Sequence, residues 1–473
     1  MKTPVHPLRN FSLLLACRTI FLAAWAMTPC IAAAPRPNFV IVLADNVGRD
    51  WFSCYDAPAG TTPHLDRLAA GGVRFEHFYT TPLCSTTRVE FLTGRYGLRT
   101  GWHMHHDAGL YGGGGFDPAR ETTWARVLRA AGYSTAITGK WQVNDLHAEP
   151  DAITRHGFDE HLVWSGARPG TGTADERWRA AGQPSGDRSY ESRYWDAKVF
   201  RNGRPETLTG QFGPDAFVDY LVDFMVRNRA RPFVAYYATT LPSLPATPTP
   251  LAPEKTASER EMFAGMVRTL DAHVGRLVAE LERLGLRENT IILFATDNAT
   301  PVRLTGPTAR ARERGGVRLM TEFDLDMPMI VNCPGRVPAG RVTDALIDAS
   351  DVFPTLLELV GVPPPRDIVL DGRPFAGLIG GPGKYEPRAW MFGQYGGIRA
   401  VRDARFKLYS TGALYDLTVD PLERTNLAQD VTPAPRAARV QLQGVLDGLP
   451  ADAMLPFRYR SVTAFQIEAA KRK

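Results

Sequence analysis

Acidic residues are missing from positions 1–34, and cysteine is scarce throughout, with five in 473 residues. So little cysteine excludes a disulfide scaffold. Beyond the first 34 residues no run is apolar for the roughly 20 positions that a bilayer span needs, which excludes further spans. An excess of charge of one sign is also missing, since Lys+Arg is 55 and Asp+Glu is 50. Three of the basic residues, Lys471, Arg472 and Lys473, close the chain. A body this near neutral has no broad basic face, so nucleic acid is not expected as a partner. Internal repeats are not visible. What remains is a composition of 44% hydrophobic and 22% charged residues, that of an ordinary globular protein.

The acid-free start carries Lys2, Arg9 and Arg18, an apolar run from Thr19 to Met27, and small residues at Ala32-Ala33-Ala34. This pattern predicts a secretory signal peptide over 1–34, and hence a periplasmic or secreted protein with no transmembrane span after its removal. A retained anchor is the alternative, but the run is too short for a span. Cys17 and Cys30 would leave with the signal, and Cys54, Cys84 and Cys333 would remain. An odd number of thiols suits one cysteine with a special fate, or three buried and inert ones. Whether Cys54 and Cys333 pair depends on geometry.

Short apolar runs alternate with amphipathic stretches, which predicts an α/β fold with a mostly parallel sheet flanked by helices. Strands are expected at 39–44, 133–137, 233–237, 291–295 and 329–331. Helices are expected from Thr62-Pro63, over 122–131, and from Ser258, where Glu261 completes a capping box. The Gly-, Arg- and Pro-rich stretch 164–215 reads as a long loop with a hairpin at Asn202-Gly203. It carries Arg168, Arg177, Arg179, Arg188 and Arg193 among aromatics, as a substrate-facing rim or a solvated loop. After about 385 the pattern becomes short antiparallel strands and a last helix near 435–447. The expected division is a catalytic domain over 35–385 and a smaller C-terminal α+β domain over 386–473.

Two of the strands end in an acid and an amide, Asp45-Asn46 and Asp297-Asn298. Ligands of open α/β sheets bind beyond the carboxyl ends of the strands. Two carboxylates and two amide oxygens form a donor set suited to calcium or magnesium. Equally, each pair is an ordinary turn cap. Cys84 stands where a short helix over Thr86 to Leu92 would begin, with Arg88 one turn on. A nucleophile at a helix N-terminus suits acyl, phosphoryl or sulfuryl transfer, and a buried cysteine beside a cap is the plainer alternative. His103, His105 and His106 cluster nearby, in a metal site or, more simply, a solvated loop.

Ordered blocks then carry a resemblance. Pro37 to Asp45, Thr62 to Phe75, Cys84 to Arg88 with Leu92 to Tyr96, Gly132 to Trp141, Asp297-Asn298, Gly315 to Arg318, Asp351 to Leu357, Leu414 to Leu417, Asp420-Pro421 and Asn426-Leu427 resemble successive motifs of the type I, formylglycine-dependent sulfatases. They run from about residue 36 to 427. The resemblance implies an alkaline-phosphatase-like fold and hydrolysis of aryl or carbohydrate sulfate esters. It implies that Cys84 is oxidised to formylglycine by a maturation enzyme. Arg88 would orient that residue, and Lys140 would contact it or the sulfate. Asp45, Asn46, Asp297 and Asn298 would hold calcium. The substrate would meet Gln142, Ser243 and Arg310.

Five positions depart from the family pattern. The family usually has Asp at Asn46, Pro or Ala at Thr86, His at Gln142, His at Ser243, and a lysine near Ala309 or Arg310. The departures imply a weakened calcium site and an altered sulfate site. They leave two alternatives to a sulfatase: a catalytically impaired pseudo-sulfatase binding an anionic or sugar ligand, or a hydrolase of phosphate or phosphonate esters.

Overall fold

The computed structural model describes Met1 and residues 36–166, 192–252, 257–304, 306 and 320–458. The proposed signal peptide, Arg310 and the Gly315–Arg318 motif lie outside the described residues, as do Arg168, Arg177, Arg179 and Arg188.

The apolar run Asn38–Ala44 forms strand β1. Its even and odd residues are buried on opposite faces. Phe39, Ile41 and Leu43 join one core, and Val40, Val42 and Ala44 join another. A strand covered on both faces has no polar face to show, which is why it reads as a continuous hydrophobic run. Helix α1 (Pro63–Ala70) follows, then β2 (Val73–Tyr79) and α2 (Cys84–Thr93). Next come α3 (Trp124–Ala130), β3 (Ser134–Lys140) and β4 (Glu160–Trp164). The hairpin β5 (Lys198–Arg201) and β6 (Arg204–Thr207) leads to α4 (Gly213–Asn228) and β7 (Phe233–Ala238). Helix α5 (Glu259–Arg283) then precedes β8 (Thr290–Thr296), β9 (Met329–Asn332), β10 (Arg341–Asp348) and α6 (Val352–Val360).

These strands form one ten-stranded sheet in the order β10-β2-β9-β8-β1-β7-β3-β4-β5-β6. The central run from β8 to β4 is parallel. Helices α1, α4 and α5 pack on one face, and α2, α3 and α6 on the other. The expected doubly covered, mostly parallel sheet is therefore present, and the Ser258–Glu261 capping box starts α5.

One reading of the sequence needs correction, and the structure decides two points that the sequence leaves open. Residues 198–207 are not part of a loop. The Asn202-Gly203 turn closes a hairpin that continues the sheet beyond β4. Strand β9 runs antiparallel to both neighbours, β2 and β8. Cys54, Cys84 and Cys333 are free thiols, so the open question of a Cys54–Cys333 pair is answered in the negative.

A second sheet of four antiparallel strands follows: β11 (Met391–Tyr395), β12 (Ile398–Arg402), β13 (Phe406–Tyr409) and β14 (Leu414–Asp416). Helix α7 (Pro433–Gly448) packs on it through Ala438, Leu442 and Leu446. Tyr96 and Leu98, which follow α2, enter that same core. The segment downstream of Cys84 is thus anchored to the C-terminal sheet.

Candidate active site

Strands β1 and β8 are parallel neighbours with Ala44 opposite Thr296. The next residue of each chain is therefore an aspartate, and Asp45 and Asp297 emerge side by side at the carboxyl edge. The Asp297 amide donates to the Ala44 carbonyl at 2.9 Å, and the Asp45 amide to the Leu241 carbonyl at 3.0 Å. Asn46 takes a left-handed conformation with φ of 60°, which asparagine tolerates better than most residues. Its backbone amide donates to Asp297 Oδ1 at 3.1 Å. Both aspartates and Asn298 are fully buried.

Helix α2 delivers the thiol and the arginine. Cys84 is its first residue and all ten of its residues are buried. The helix starts two residues before the Thr86 expected from sequence, since Leu83 caps it without a side-chain hydrogen bond and so leaves no capping signal. The approach is held instead by hydroxyls. Thr86 donates to the Leu83 carbonyl at 2.7 Å and also bonds Thr81, and Thr87 bonds Thr81 at 2.8 Å and donates to the Asp297 carbonyl at 2.8 Å. Arg88, one turn on, donates through Nη2 to Asp297 Oδ2 at 2.8 Å and through Nη1 to the Lys140 carbonyl at 3.2 Å.

Lys140 ends β3 and donates to Asp45 Oδ2 at 2.7 Å. Its placement depends on Gly139, which lies opposite Ala238 with φ of 98°. A Cβ on Gly139 would sit 2.0 Å from the Ala238 carbonyl oxygen. Gly139→Ala is therefore expected to push β3 off β7, destabilise the fold by on the order of 3 kcal/mol, and carry Lys140 away from Asp45. A denaturant titration beside a turnover assay checks both effects.

The charges interlock. Burial alone would raise the Asp45 carboxyl, but Lys140, then Arg88 and Arg193, hold it below its ordinary value. The Asp297 carboxyl is pushed up to about 6, by burial and by Asp45, against Arg88 and Lys140. Burial also pushes the Cys84 thiol up, and Asp45 and Asp297 add to this against Lys140 and Arg88. Burial on its own would lower Lys140, but Asp45, Cys84 and Asp297 together raise it above its ordinary value, so it stays a cation.

One carboxylate oxygen each of Asp45 and Asp297 and the Cys84 sulfur lie within 4.8 Å of one another. Among the described residues this is the one group of three such side chains that could hold a metal ion. Several buried oxygens around it lack hydrogen-bond partners: Asp45 Oδ1, Asn46 Oδ1 and Asn298 Oδ1. Burying an acceptor without a partner is costly. An all-oxygen set of two carboxylates and two carboxamides fits a hard divalent cation.

The remaining residues named from sequence fall as follows. Gln142 is buried with φ of 69°, and its Nε2 donates to Asp107 Oδ2 at 3.3 Å. Ser243 is buried in the loop after β7, where its Oγ accepts from Asn46 Nδ2 at 2.8 Å. Of the three clustered histidines, His106 stacks on Phe457 at 3.9 Å, and burial lowers it to about 4, so it is a neutral core ring. His105 turns the other way, with Nδ1 3.2 Å from Ser85 Oγ, and no shared metal site joins them. The sequence places Arg193 only in a loop rim. It is buried, sits 4.6 Å from the Trp164 ring centre, donates to the Leu244 carbonyl at 2.8 Å, and adds its charge to that around Asp45.

Residues 37–362 match the family model described as Sulfatase, and residues 316–446 match N-sulphoglucosamine sulphohydrolase, C-terminal. The chain is 31% identical over 432 residues to steryl-sulfatase of Mus musculus, covering 76% of this chain and 68% of that protein. It is 33% identical over 356 residues to N-acetylgalactosamine-6-sulfatase of Canis lupus familiaris, covering 72% and 66%. Arylsulfatase A of Homo sapiens is 30% identical over 439 residues, covering 84% and 80%. The chain thus spans about two thirds of the first two relatives' lengths. Among solved structures, Ps i-CgsB aligns with a TM-score of 0.75 at 22% identity, over 92% of this chain and 98% of that one. A protein solved with its substrate D-glucosamine-2-N,6-O-disulfate aligns with a TM-score of 0.67 at 20% identity, over 87% and 97%.

Proposed function

The chain belongs to the sulfatase family, and on that footing we propose that it is an exported hydrolase of sulfate esters, acting through a formylglycine made from Cys84 by a maturation enzyme. The observation that carries this reading is the convergence of Cys84, Arg88, Lys140, Asp45 and Asp297 at one buried edge of the sheet. Relatives named for steryl, aryl and N-acetylgalactosamine-6 sulfates support an ester of an aryl, steroid or sugar alcohol.

The chemistry follows from the side chains. The raised thiol of Cys84 is a poor nucleophile as it stands, because the thiolate is the reactive form. This favours conversion of the residue over attack by sulfur, and so favours sulfate hydrolysis over a phosphate or phosphonate hydrolase with an unconverted cysteine. A hydrated aldehyde at 84 presents an oxygen nucleophile. That oxygen would attack sulfur and pass its proton to the departing alcohol as the ester S–O bond breaks, and the sulfated hydrate would then release sulfate by breaking its own C–O bond, its second hydroxyl losing a proton as the aldehyde re-forms for rehydration. Arg88 is fixed by Asp297 and the Lys140 carbonyl, so it is a preorganised cation that costs no rearrangement during the reaction. Lys140 adds a second permanent positive charge. A calcium ion held by Asp45, Asn46, Asp297 and Asn298 would polarise the sulfate. With a carboxamide where the family has a third carboxylate, its affinity is reduced and not abolished.

Rates on 4-nitrophenyl sulfate and 4-nitrophenyl phosphate test the reading, because the leaving group is the same. Preference for the sulfate by on the order of 100-fold or more in kcat/KM is expected. Equal rates, or faster phosphate hydrolysis, would contradict it.

Proton linkage gives a second expectation. Without a cation, Asp297 titrates at about 6, above the ordinary carboxylate value of about 3.9. A raised carboxyl favours the native state below its unfolded pKa, and that contribution is lost as pH rises through 6. A bound cation favours the ionised form. The rise in melting temperature on adding calcium should therefore grow between about pH 5 and about pH 7. Scanning calorimetry reads this directly, and a pH-independent rise would contradict it.

A further inference from the structure

The carboxamide of Asn46 has two unlike ends. Its Nδ2 donates to Ser243 Oγ at 2.8 Å, while its Oδ1 is buried with no hydrogen-bond partner. A carboxylate offers a cation two equal oxygens, but a carboxamide offers one oxygen and one repelling NH2 group. Whatever takes the NH2 group decides which end faces the site. Ser243 is well fixed for that task. It is 3% exposed, its amide donates to the Thr240 carbonyl at 3.1 Å, and its carbonyl accepts from Tyr194 Oη. The same Tyr194 hydroxyl bonds the Thr240 carbonyl at 2.8 Å, which ties down both ends of the turn.

We infer that Ser243 is a positioning residue that locks the Asn46 carboxamide with Oδ1 toward the cation site beside Asp45 and Asp297. The two positions, 197 residues apart, act as one pair. An asparagine at 46 calls for an acceptor at 243, and a serine supplies it. This inference rests on the cation reading given above.

A double-mutant cycle on calcium affinity tests it, read by titration calorimetry on the purified full chain and needing no turnover. Ser243→Ala, Asn46→Asp and the double variant are compared with the wild type. Alanine leaves the carboxamide free to flip, so Ser243→Ala should weaken calcium binding about 5- to 10-fold. An aspartate at 46 has no wrong end, so the same substitution in the Asn46→Asp protein should cost less than about 2-fold. Equal losses in both backgrounds would overturn the inference while leaving the cation site standing. So would an unchanged affinity with lost turnover, which would mean that Ser243 touches substrate. If the wild type binds no calcium, the inference and the cation reading fall together. Melting curves in chelator, alike for all four proteins, show that the comparison is between folded chains.

Discussion

Cys84→Ala is expected to lower kcat/KM on a sulfate ester by on the order of 10⁴-fold or more, with the fold intact. The size follows from the role. Removing a covalent nucleophile leaves only the binding and electrostatic contributions of the remaining groups. The fold should survive because alanine suits the first turn of a helix and Cys84 makes no hydrogen bond that caps α2. The removed sulfur leaves the ion pairs Arg88–Asp297 and Lys140–Asp45 in place. Steady-state kinetics beside a melting curve separates the two effects. A loss of only a few-fold would place the nucleophile elsewhere.

Arg88→Met should be the more damaging change to the fold. Arg88 is 2% exposed and Asp297 is fully buried. Truncating one partner of such a pair leaves an uncompensated buried charge and costs about 3–5 kcal/mol. Part of that cost can be relieved by protonation, since Asp297 already titrates at about 6 with the arginine present and would move higher without it. The destabilisation should therefore be smaller below about pH 5 than at neutral pH. Turnover should fall by on the order of 10³-fold as well, the scale of losing one preorganised charge. Denaturant unfolding at the two pH values checks the first point. A destabilisation below about 1 kcal/mol at neutral pH would mean that the pair is not the anchor described here.

Much of this site was legible in the sequence because buried parallel strands announce themselves. Phe39–Ala44 and Ile291–Ala295 have no polar face, and the first charged residues after them are the site aspartates. Strand β2 was less visible. Its Arg74, Glu76 and His77 are only partly buried and break the apolar run. Strand β10 lies at the sheet edge, with Arg341, Val342 and Asp344 exposed. Helix α4 starts with Gly213-Pro214 directly after a loop-like stretch, which hid its periodicity. Arg193 went unrecognised for the same reason, since its neighbours suggest a solvated loop while Trp164 and Leu244 bury it. The Asn46–Ser243 bond could not be read at all, because nothing local links residues so far apart in the chain.

The conversion of Cys84 is the step on which the proposed chemistry depends. The most direct measurement is the mass of the tryptic peptide running from Phe75 to Arg88, from protein made in a host that has the maturation enzyme. The account expects the mass of an aldehyde at position 84, showing that Thr86 is accepted in place of the usual proline or alanine. An intact thiol in that peptide would contradict a formylglycine-dependent sulfatase.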